Sequence, residues 1–172
     1  MKFMVMHKQT AEMEKGLKPD AEIIKNVGQL VGAAHKEKIF HGGAGLHPTS
    51  ARTLLAYKSG KRVTTKDGPF TEAKELVGGF ALMKVKSKEE AIEWADRFAE
   101  TMGEDVQLIL GPVVEPWDLG MVAKPANPPL RFLSVMNQTP QAESGVTPKP
   151  EDFAKMGALT DEMTKAGVLE AT

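Results

Sequence analysis

Short apolar runs alternate with amphipathic segments between residues 3 and 110 of the chain. An unbroken apolar run predicts a strand, and apolar positions at three- and four-residue spacing predict the buried face of a helix. Asp20 and Ser87 stand where an N-cap belongs, at the start of each helical pattern. On these grounds we expect strands over 3–7, 39–46, 76–85 and 106–110, helices over 20–38 and 87–102, and a hairpin of 53–57 with 62–64.

The order of these elements predicts the fold class. A strand, a helix, two or three strands, a second helix and a last strand form the βαββαβ pattern of the ferredoxin-like α+β fold, here with an inserted hairpin. Such an open sheet leaves one face uncovered, and pairing two sheets face to face buries that face and closes a barrel around a cavity. We therefore expect a homodimer that forms a dimeric α+β barrel.

The C-terminal part of the chain repeats its beginning. When the sequence is shifted by 129 positions, ten residues of the first forty recur in a single frame, and the apolar positions between them agree as well. The predicted organisation is a first domain over 1–118, a proline-rich linker over 119–129 and a partial second copy over 130–172 that holds only a first strand and helix. A strand and a helix alone cannot bury a core. Either the chain is a truncated tandem protein, or this tail packs on the first domain or on a partner chain. The identical pairs are Phe3/Phe132, Gln9/Gln138, Thr10/Thr139, Glu14/Glu143, Gly16/Gly145, Pro19/Pro148, Glu22/Glu151, Gly28/Gly157, Leu30/Leu159 and Lys36/Lys165.

Composition excludes several classes of function. The chain has 22 basic and 23 acidic residues and a net charge of −1, so no basic excess favours nucleic acid or a membrane surface. It contains no cysteine, and no apolar run approaches the roughly 18 residues of a membrane span. We expect a cytoplasmic protein. No phosphate-binding or dinucleotide motif is present, and His41 and His47 lie at no recognised metal-ligand spacing, so we expect neither a cofactor nor a metal.

The densest candidate chemistry lies in residues 67–75, where a turn with the sequence Asp-Gly-Pro leads into a buried strand. One interpretation makes Asp67 a general acid or base paired with His41 or His47, because a carboxylate orients an imidazole and supports its charged form. The other interpretation makes Asp67 the cap of its own turn and leaves the neighbouring glutamates solvated or paired with Lys74. Arg52 and Lys74 are the nearest cations and could hold a small anionic ligand, with Phe70 and Glu72 also at the candidate site.

The run DGPFTEAKELVGGFALMKV, followed by SKEEAIEWADRFAE, resembles the YCII-related family in its DGPF branch. The resemblance covers roughly residues 1–115. It implies a ferredoxin-like domain that dimerises into an α+β barrel, in a family of which many members have no assigned reaction. Some members are thought to use a His–Asp pair with the histidine on the first helix. In this chain the histidine of that helix is His35, at its C-terminal end.

Two functions from different classes follow. The first is a small-molecule enzyme that performs acid–base chemistry of the lyase, isomerase or dehalogenation type on a compact organic acid, without a metal. The second is a non-catalytic ligand-binding or regulatory accessory module, which the resemblance links to alternative sigma factors of the extracytoplasmic-function class. A histidine within hydrogen-bond reach of an aspartate in a cavity favours the enzyme, whereas a cavity or apolar patch alone suits the module.

Overall fold

The computed structural model describes residues 3–7, 9–16, 18–69, 77–137 and 149–171. Within these ranges the chain forms helices, strands and a short 3-10 turn over Thr49–Ala51. The helices are α1 (Ala11–Glu14), α2 (Ala21–Lys36), α3 (Lys88–Met102) and α4 (Pro150–Lys165). The strands are β1 (Gly45–Leu46), β2 (Thr53–Lys58), β3 (Lys61–Asp67), β4 (Val77–Val85), β5 (Val106–Val114), β6 (Leu130–Asn137) and β7 (Leu169–Ala171).

The strands form one antiparallel sheet in the order β3-β2-β5-β6-β4-β7, and β1 pairs with the end of β5. Strand β6 lies in the middle, because Ser134 pairs with Leu110 of β5 while Phe132 pairs with Met83 of β4. Strand β7 pairs with the outer edge of β4. The centre of the sheet therefore contains a strand from the C-terminal part of the chain.

The core lies between one face of the sheet and helices α3 and α4. Apolar side chains at alternate strand positions point to this face and are buried against the helices. Helix α3 contributes a stripe of three buried alanines, whose small side chains let the helix lie close to the sheet. The most deeply buried large side chains are Leu55, Met83, Leu108 and Leu110, and α4 adds Leu159 and Met163.

Caps and ion pairs fix helix α3 at the position that the sequence predicts. The Ser87 hydroxyl accepts a hydrogen bond from the Glu90 N–H at 3.2 Å, and Gly103 ends the helix in the left-handed conformation at φ 67°. Near the middle of the helix, Asp96 accepts a hydrogen bond from the Tyr57 hydroxyl at 2.9 Å and faces Arg62 at 3.5 Å. The hairpin of β2 and β3 is thereby tied to α3.

The α+β class and its antiparallel sheet confirm the predicted fold, and the arrangement is compatible with a ferredoxin-like domain. Helix α2 begins after Asp20, whose carboxylate accepts from the Ile23 N–H at 2.8 Å, as predicted. The predicted strand over 39–46 is formed only at Gly45–Leu46. The short helix α1 lies before α2, and the Thr10 hydroxyl caps its N-terminus by accepting a hydrogen bond from the Met13 N–H at 3.2 Å.

The predicted central strand over 3–7 is wrong in this structure. Those residues lie outside the sheet, and Phe3 is 83% exposed, whereas its repeat partner Phe132 in β6 is only 5% exposed. The physical reason is that residues 3–7 and 132–136 are both largely apolar, so this pattern alone does not tell which of the two segments is buried in the sheet. We call residues 3–42 the N-terminal unit, and β6, α4 and β7 the C-terminal unit.

Polar contacts anchor the C-terminal unit at each of its elements. Arg131 of β6 binds both carboxylate oxygens of the buried Glu115, with Nε and Nη2 each 2.6 Å from an oxygen. This paired carboxylate holds the pKa of Arg131 above its usual value. Glu162 of α4 pairs with Arg97 of α3 at 2.5 Å. The Lys84 N–H donates to the Val168 carbonyl at 2.7 Å.

Candidate functional site

A loop over residues 47–52 joins β1 to β2 and carries the polar cluster that we examine as the candidate site. The His47 N–H donates to the Pro112 carbonyl at 3.1 Å, so the loop starts against the end of β5. The 3-10 turn then brings the Arg52 N–H to the Thr49 carbonyl at 3.0 Å. The loop is thus held by backbone hydrogen bonds to a rigid strand, a common way to position functional side chains.

His47 pairs with Asp118 in this cluster. Its Nε2 lies 3.4 Å from Asp118 Oδ2, and both side chains are about one third exposed, at 35% and 32%. The same carboxylate oxygen accepts a hydrogen bond from the Glu115 N–H at 2.9 Å, within the turn that follows β5. An anchored carboxylate beside an imidazole orients the ring, which suits proton transfer.

Arg52 supplies a half-buried positive charge next to this pair. Its Nε donates to the His47 carbonyl at 2.8 Å, and its Nη2 donates to the side-chain oxygen of Gln9. Burial lowers the pKa of Arg52, and the nearby Glu14 carboxylate opposes that shift. Since a guanidinium carries five N–H donors, donors beyond these two can bind an anionic ligand.

Glu14 completes the cluster from the N-terminal unit. Its Oε2 accepts hydrogen bonds from the Thr49 N–H at 3.1 Å and from the Thr49 hydroxyl at 2.8 Å. Gln9, also from that unit, donates to the Leu46 carbonyl at 3.3 Å. Two residues of the N-terminal unit therefore line the loop that carries His47 and Arg52.

Asp67 is held by other partners than the predicted histidines. It ends β3 opposite Thr53, and its Oδ1 accepts from the Thr53 hydroxyl and from Lys88 Nζ, each at 2.6 Å. The hydrogen bond from Lys88, and then that from Thr53, lowers the pKa of the Asp67 carboxyl. In the described part of the chain, the carboxylate beside His47 is that of Asp118, and the pairing of Asp67 with His41 or His47 stays a prediction. A catalytic role for Asp67 stays a prediction.

The remaining predicted site residues fall into two groups. His41 is exposed, in the segment between α2 and β1. Phe70, Glu72 and Lys74 lie outside the described residues. Asp118 was missed at the sequence level because it follows the predicted last strand in what reads as a domain end. The signal that could have found it is the acidic pair of Glu115 and Asp118 directly after a buried strand.

A separate apolar cavity of about 250 Å³ lies between the sheet and helices α3 and α4. Its wall combines side chains of the C-terminal unit with those of β4 and α3, and Ser134 and Thr160 are its hydroxyl-bearing residues. The other lining side chains that matter here are Ala81, Met83, Phe98, Met136 and Met156. This cavity could hold a small apolar molecule.

The described residues hold neither a cluster of metal ligands nor a membrane-spanning helix. No group of three or more potential metal-ligating side chains (His, Cys, Asp or Glu) is found among them. None of the helices described here has both the length and the apolar character needed to cross a membrane.

A family model described as a YCII-related domain matches residues 1–107. The chain belongs to the YCII-related family. The match includes the N-terminal unit, the loop of His47 and Arg52, and the Asp67 turn, while Asp118 and the C-terminal unit lie beyond it. Within the YCII-related family, the DGPF branch stays a prediction that rests on residues 67–70. Comparisons with curated proteins and with solved structures gave no significant match.

Proposed function

We propose that this YCII-related protein is an acid–base enzyme that acts on a compact organic acid. The observation that carries the proposal is the 3.4 Å contact between His47 Nε2 and Asp118 Oδ2 beside the half-buried Arg52. A general base, the group that orients it and a cation for the substrate's carboxylate are together the minimum set for moving a proton next to an acid group. The absence of cysteine and the balanced charge support a cytoplasmic enzyme as part of this proposal.

Each residue has one role in this proposal. Since Nε2 of His47 faces Asp118, its Nδ1 is the nitrogen that takes a proton from the substrate carbon and returns it at another position or to a leaving group. Asp118 stabilises the imidazolium that forms. Arg52 binds the substrate carboxylate and sets its orientation. Proton abstraction of this kind serves isomerisation, elimination and related lyase chemistry.

The test uses exchange of carbon-bound hydrogen, which needs no knowledge of the final product. The protein is incubated in D₂O with a panel of small 2-oxo acids, 3-oxo acids and unsaturated lactones, and loss of C–H signals is followed by proton NMR. For a compound that exchanges, His47→Ala and Asp118→Asn are expected to slow exchange by about 10²-fold or more. Arg52→Ala is expected to raise the substrate concentration needed for half-maximal rate.

His41→Ala and Asp67→Asn are the matched controls, because they remove the alternative histidine and the alternative carboxylate. Both are expected to retain the exchange rate of the unchanged protein. Loss of exchange in Asp67→Asn with full exchange in Asp118→Asn would overturn the proposed pair and restore the pairing expected from the sequence. If exchange is equally fast with substitutions at His47, Asp118, His41 and Asp67, the proposed enzymatic function is wrong.

A ligand-binding or regulatory accessory module is the second candidate, supported by the apolar cavity of about 250 Å³ under α3 and α4. In this alternative, which includes a role beside an alternative sigma factor, the cavity binds a small apolar effector and no proton moves. Indole binding followed by NMR shifts of the cavity methyl groups tests it. Ala81→Leu, which places a larger side chain in the cavity, should abolish binding. His47→Ala should leave binding unchanged.

The face-to-face homodimer is part of the proposal, and the open face of the sheet supports it. Helices α3 and α4 cover one face, whereas a row of half-buried apolar residues crosses the other. Cross-strand pairing aligns the row, since Leu54 pairs with Ile109, Ile109 with Val135, and Val135 with Phe80. Pairing two such rows would remove this apolar area from water.

A further inference from the structure

The repeat gives each part of the C-terminal unit a counterpart in the N-terminal unit. With the shift of 129 positions, β6 corresponds to residues 1–8, α4 to 21–36 and β7 to 40–42. The helical part of this correspondence agrees residue for residue with α2, whose bounds are Ala21–Lys36 against Pro150–Lys165 for α4. The two units thus share one sequence pattern, and of its three elements the described residues of the N-terminal unit form the helix.

Only one unit is docked. Leu159 of α4 is 6% exposed, and its identical counterpart Leu30 in α2 is 70% exposed. Helix α2 has no buried residue over its 16 positions, although Ile23 and Val27 continue the same apolar face as Leu30. An apolar helical face of this size needs a surface to cover it. The position of α4 shows which surface a helix with this apolar pattern can cover.

That surface is a slot on the sheet formed by the facing edges of β4 and β5, together with α3. The C-terminal unit fills it, with β6 between the two strands and α4 against α3. Family membership assigns residues 1–107 to one domain, and this range contains the N-terminal unit, β4, α3 and the start of β5. Within the family domain, the N-terminal unit is therefore the segment that can fill the slot.

Chain geometry prevents the N-terminal unit from filling the slot of its own sheet while β1 keeps its place. The counterpart of β7 ends at residue 42, and β1 begins at Gly45 paired with Val114 of β5. Three residues span at most about 11 Å. In the sheet, β4 and β6 lie between the site of β7 and β5. The distance from that site to β5 is therefore three strand spacings, or roughly 14 Å, which is more than the three residues can span.

We propose that the N-terminal unit is an exchange element that docks into the β4–β5 slot of a second copy of this chain, in place of that copy's C-terminal unit. Each slot then has two alternative occupants with the same apolar pattern. The C-terminal unit has the advantage of a tether, residues 115–129, which keeps it at high effective concentration near its own slot. The N-terminal unit competes in proportion to the concentration of the second copy.

Single-cysteine variants test the docked geometry, because the chain has no cysteine of its own. Glu162 contacts Arg97 in the docked C-terminal unit, and its repeat counterpart in α2 is Ala33. An Ala33→Cys chain is mixed with a size-tagged Arg97→Cys chain and treated with a short bis-maleimide cross-linker, because Arg97 and Glu162 meet at the ends of long side chains. We expect a covalent heterodimer whose yield rises with protein concentration.

Lys25→Cys is the matched control on the same exposed helix. Its counterpart Ala154 lies eight residues before Glu162 on α4, so after exchange a cysteine at position 25 would lie about 12 Å along the helix from the position that meets Arg97. We expect Ala33→Cys to give several times the heterodimer yield of Lys25→Cys. Equal yields would overturn the proposal, because they would reflect random collision between exposed thiols.

A second pair of variants tests the competition between the units. Leu159→Ala in the Arg97→Cys chain weakens the tethered occupant, and we expect the heterodimer yield to rise by about tenfold or until it saturates. Leu30→Ala in the Ala33→Cys chain weakens the competing occupant and should lower the yield. An unchanged yield with either variant would overturn the exchange. If Leu159→Ala does not fold by circular dichroism, the comparison of Ala33→Cys with Lys25→Cys decides alone.

Discussion

Gly68 stands where another backbone segment leaves no room for a side chain. A Cβ on Gly68 would lie 1.8 Å from the Thr49 carbonyl oxygen, and the Gly68 N–H donates to the Arg52 carbonyl at 3.0 Å. We expect Gly68→Ala to lower the free energy of unfolding by about 1–3 kcal/mol, because backbone must move to admit the methyl group. Urea denaturation followed by circular dichroism measures the change.

Gly157→Ala is the control for that substitution. Gly157 lies in α4, and a Cβ there would meet no heavy atom within 4 Å. Alanine at this position should raise the free energy of unfolding by up to about 1 kcal/mol, since glycine costs backbone entropy in a helix. Equal effects of the two substitutions would contradict the close approach of Gly68 to residue Thr49.

The Asp67 carboxylate gives stability a definite pH dependence. Its folded pKa lies below the unfolded value, because the ionised form accepts from Lys88 and Thr53. The stabilisation is therefore present above the unfolded pKa and is lost as the pH falls through the folded pKa. We expect Asp67→Asn to be less stable at pH 7 by no more than about 1 kcal/mol, since the carboxylate is largely exposed.

Urea titrations at neutral pH and in acid below the folded pKa measure this difference, which should vanish once the carboxyl is protonated. Lys88→Met should show the same convergence, because it removes the first cause of the pKa shift. A difference that persists unchanged in acid would mean that the asparagine disturbs packing and that the ion pair contributes nothing.

Residue types in the candidate site could be predicted from the sequence, but their pairing could not. His47 and Arg52 stand out because they flank a loop that follows a glycine-rich segment, and the structure places both in one cluster. The sequence does not say which carboxylate lies within reach of His47. Asp118 reaches it only because the end of β5 lies beside β1, a contact between distant parts of the chain.

At the scale of elements, helices α2 and α4 could both be predicted, α2 from its apolar period and its Asp20 cap and α4 from its correspondence in sequence to α2. Which of them docks could not be predicted, because the repeat gives α2 and α4 the same apolar face. The choice depends on the tether and on polar contacts such as Arg97 with Glu162, which have no counterpart at Ala33. The periodicity shows that a helix has a face that can be buried, but it does not identify the surface that buries this face.

Alanine substitutions at Leu30 and Leu159 measure the difference in burial between α2 and α4. Leu159→Ala should cost about 2–4 kcal/mol of unfolding free energy, because it removes a buried side chain from the core. Leu30→Ala, at the exposed repeat position, should change it by less than about 0.5 kcal/mol. Urea denaturation in dilute solution compares them. Similar costs for the two would contradict the placement of the C-terminal unit in the sheet.

The salt bridge between Arg131 and Glu115 is expected to stabilise the packing of β6 against the end of β5. Arg131→Met would leave the buried Glu115 carboxylate without its partner, so we expect a loss of about 2–4 kcal/mol. The double variant with Glu115→Gln should recover part of that loss, because no buried charge remains. A double-mutant cycle measures the coupling. Additive single effects would show that the two side chains do not stabilise the fold through each other.

At the scale of the whole molecule, the proposed face-to-face homodimer depends on the apolar row on the open face of the sheet. Ile109→Lys places a charge in that row and should convert dimer to monomer in sedimentation velocity runs at micromolar concentration. Val63→Lys, on the exposed strand β3, is the control and should leave the mass unchanged. Dimers that survive Ile109→Lys would place the contact elsewhere.

Gln9 and Glu14 belong to the N-terminal unit and yet contact Arg52 and Thr49 in the candidate site. When this unit moves to a second copy, it draws these two side chains toward the other molecule and changes the surroundings of the guanidinium. Turnover per molecule would then no longer be constant on dilution. A plot of initial rate against the amount of protein would curve, and the direction of its curvature would tell which assembly is the more active one.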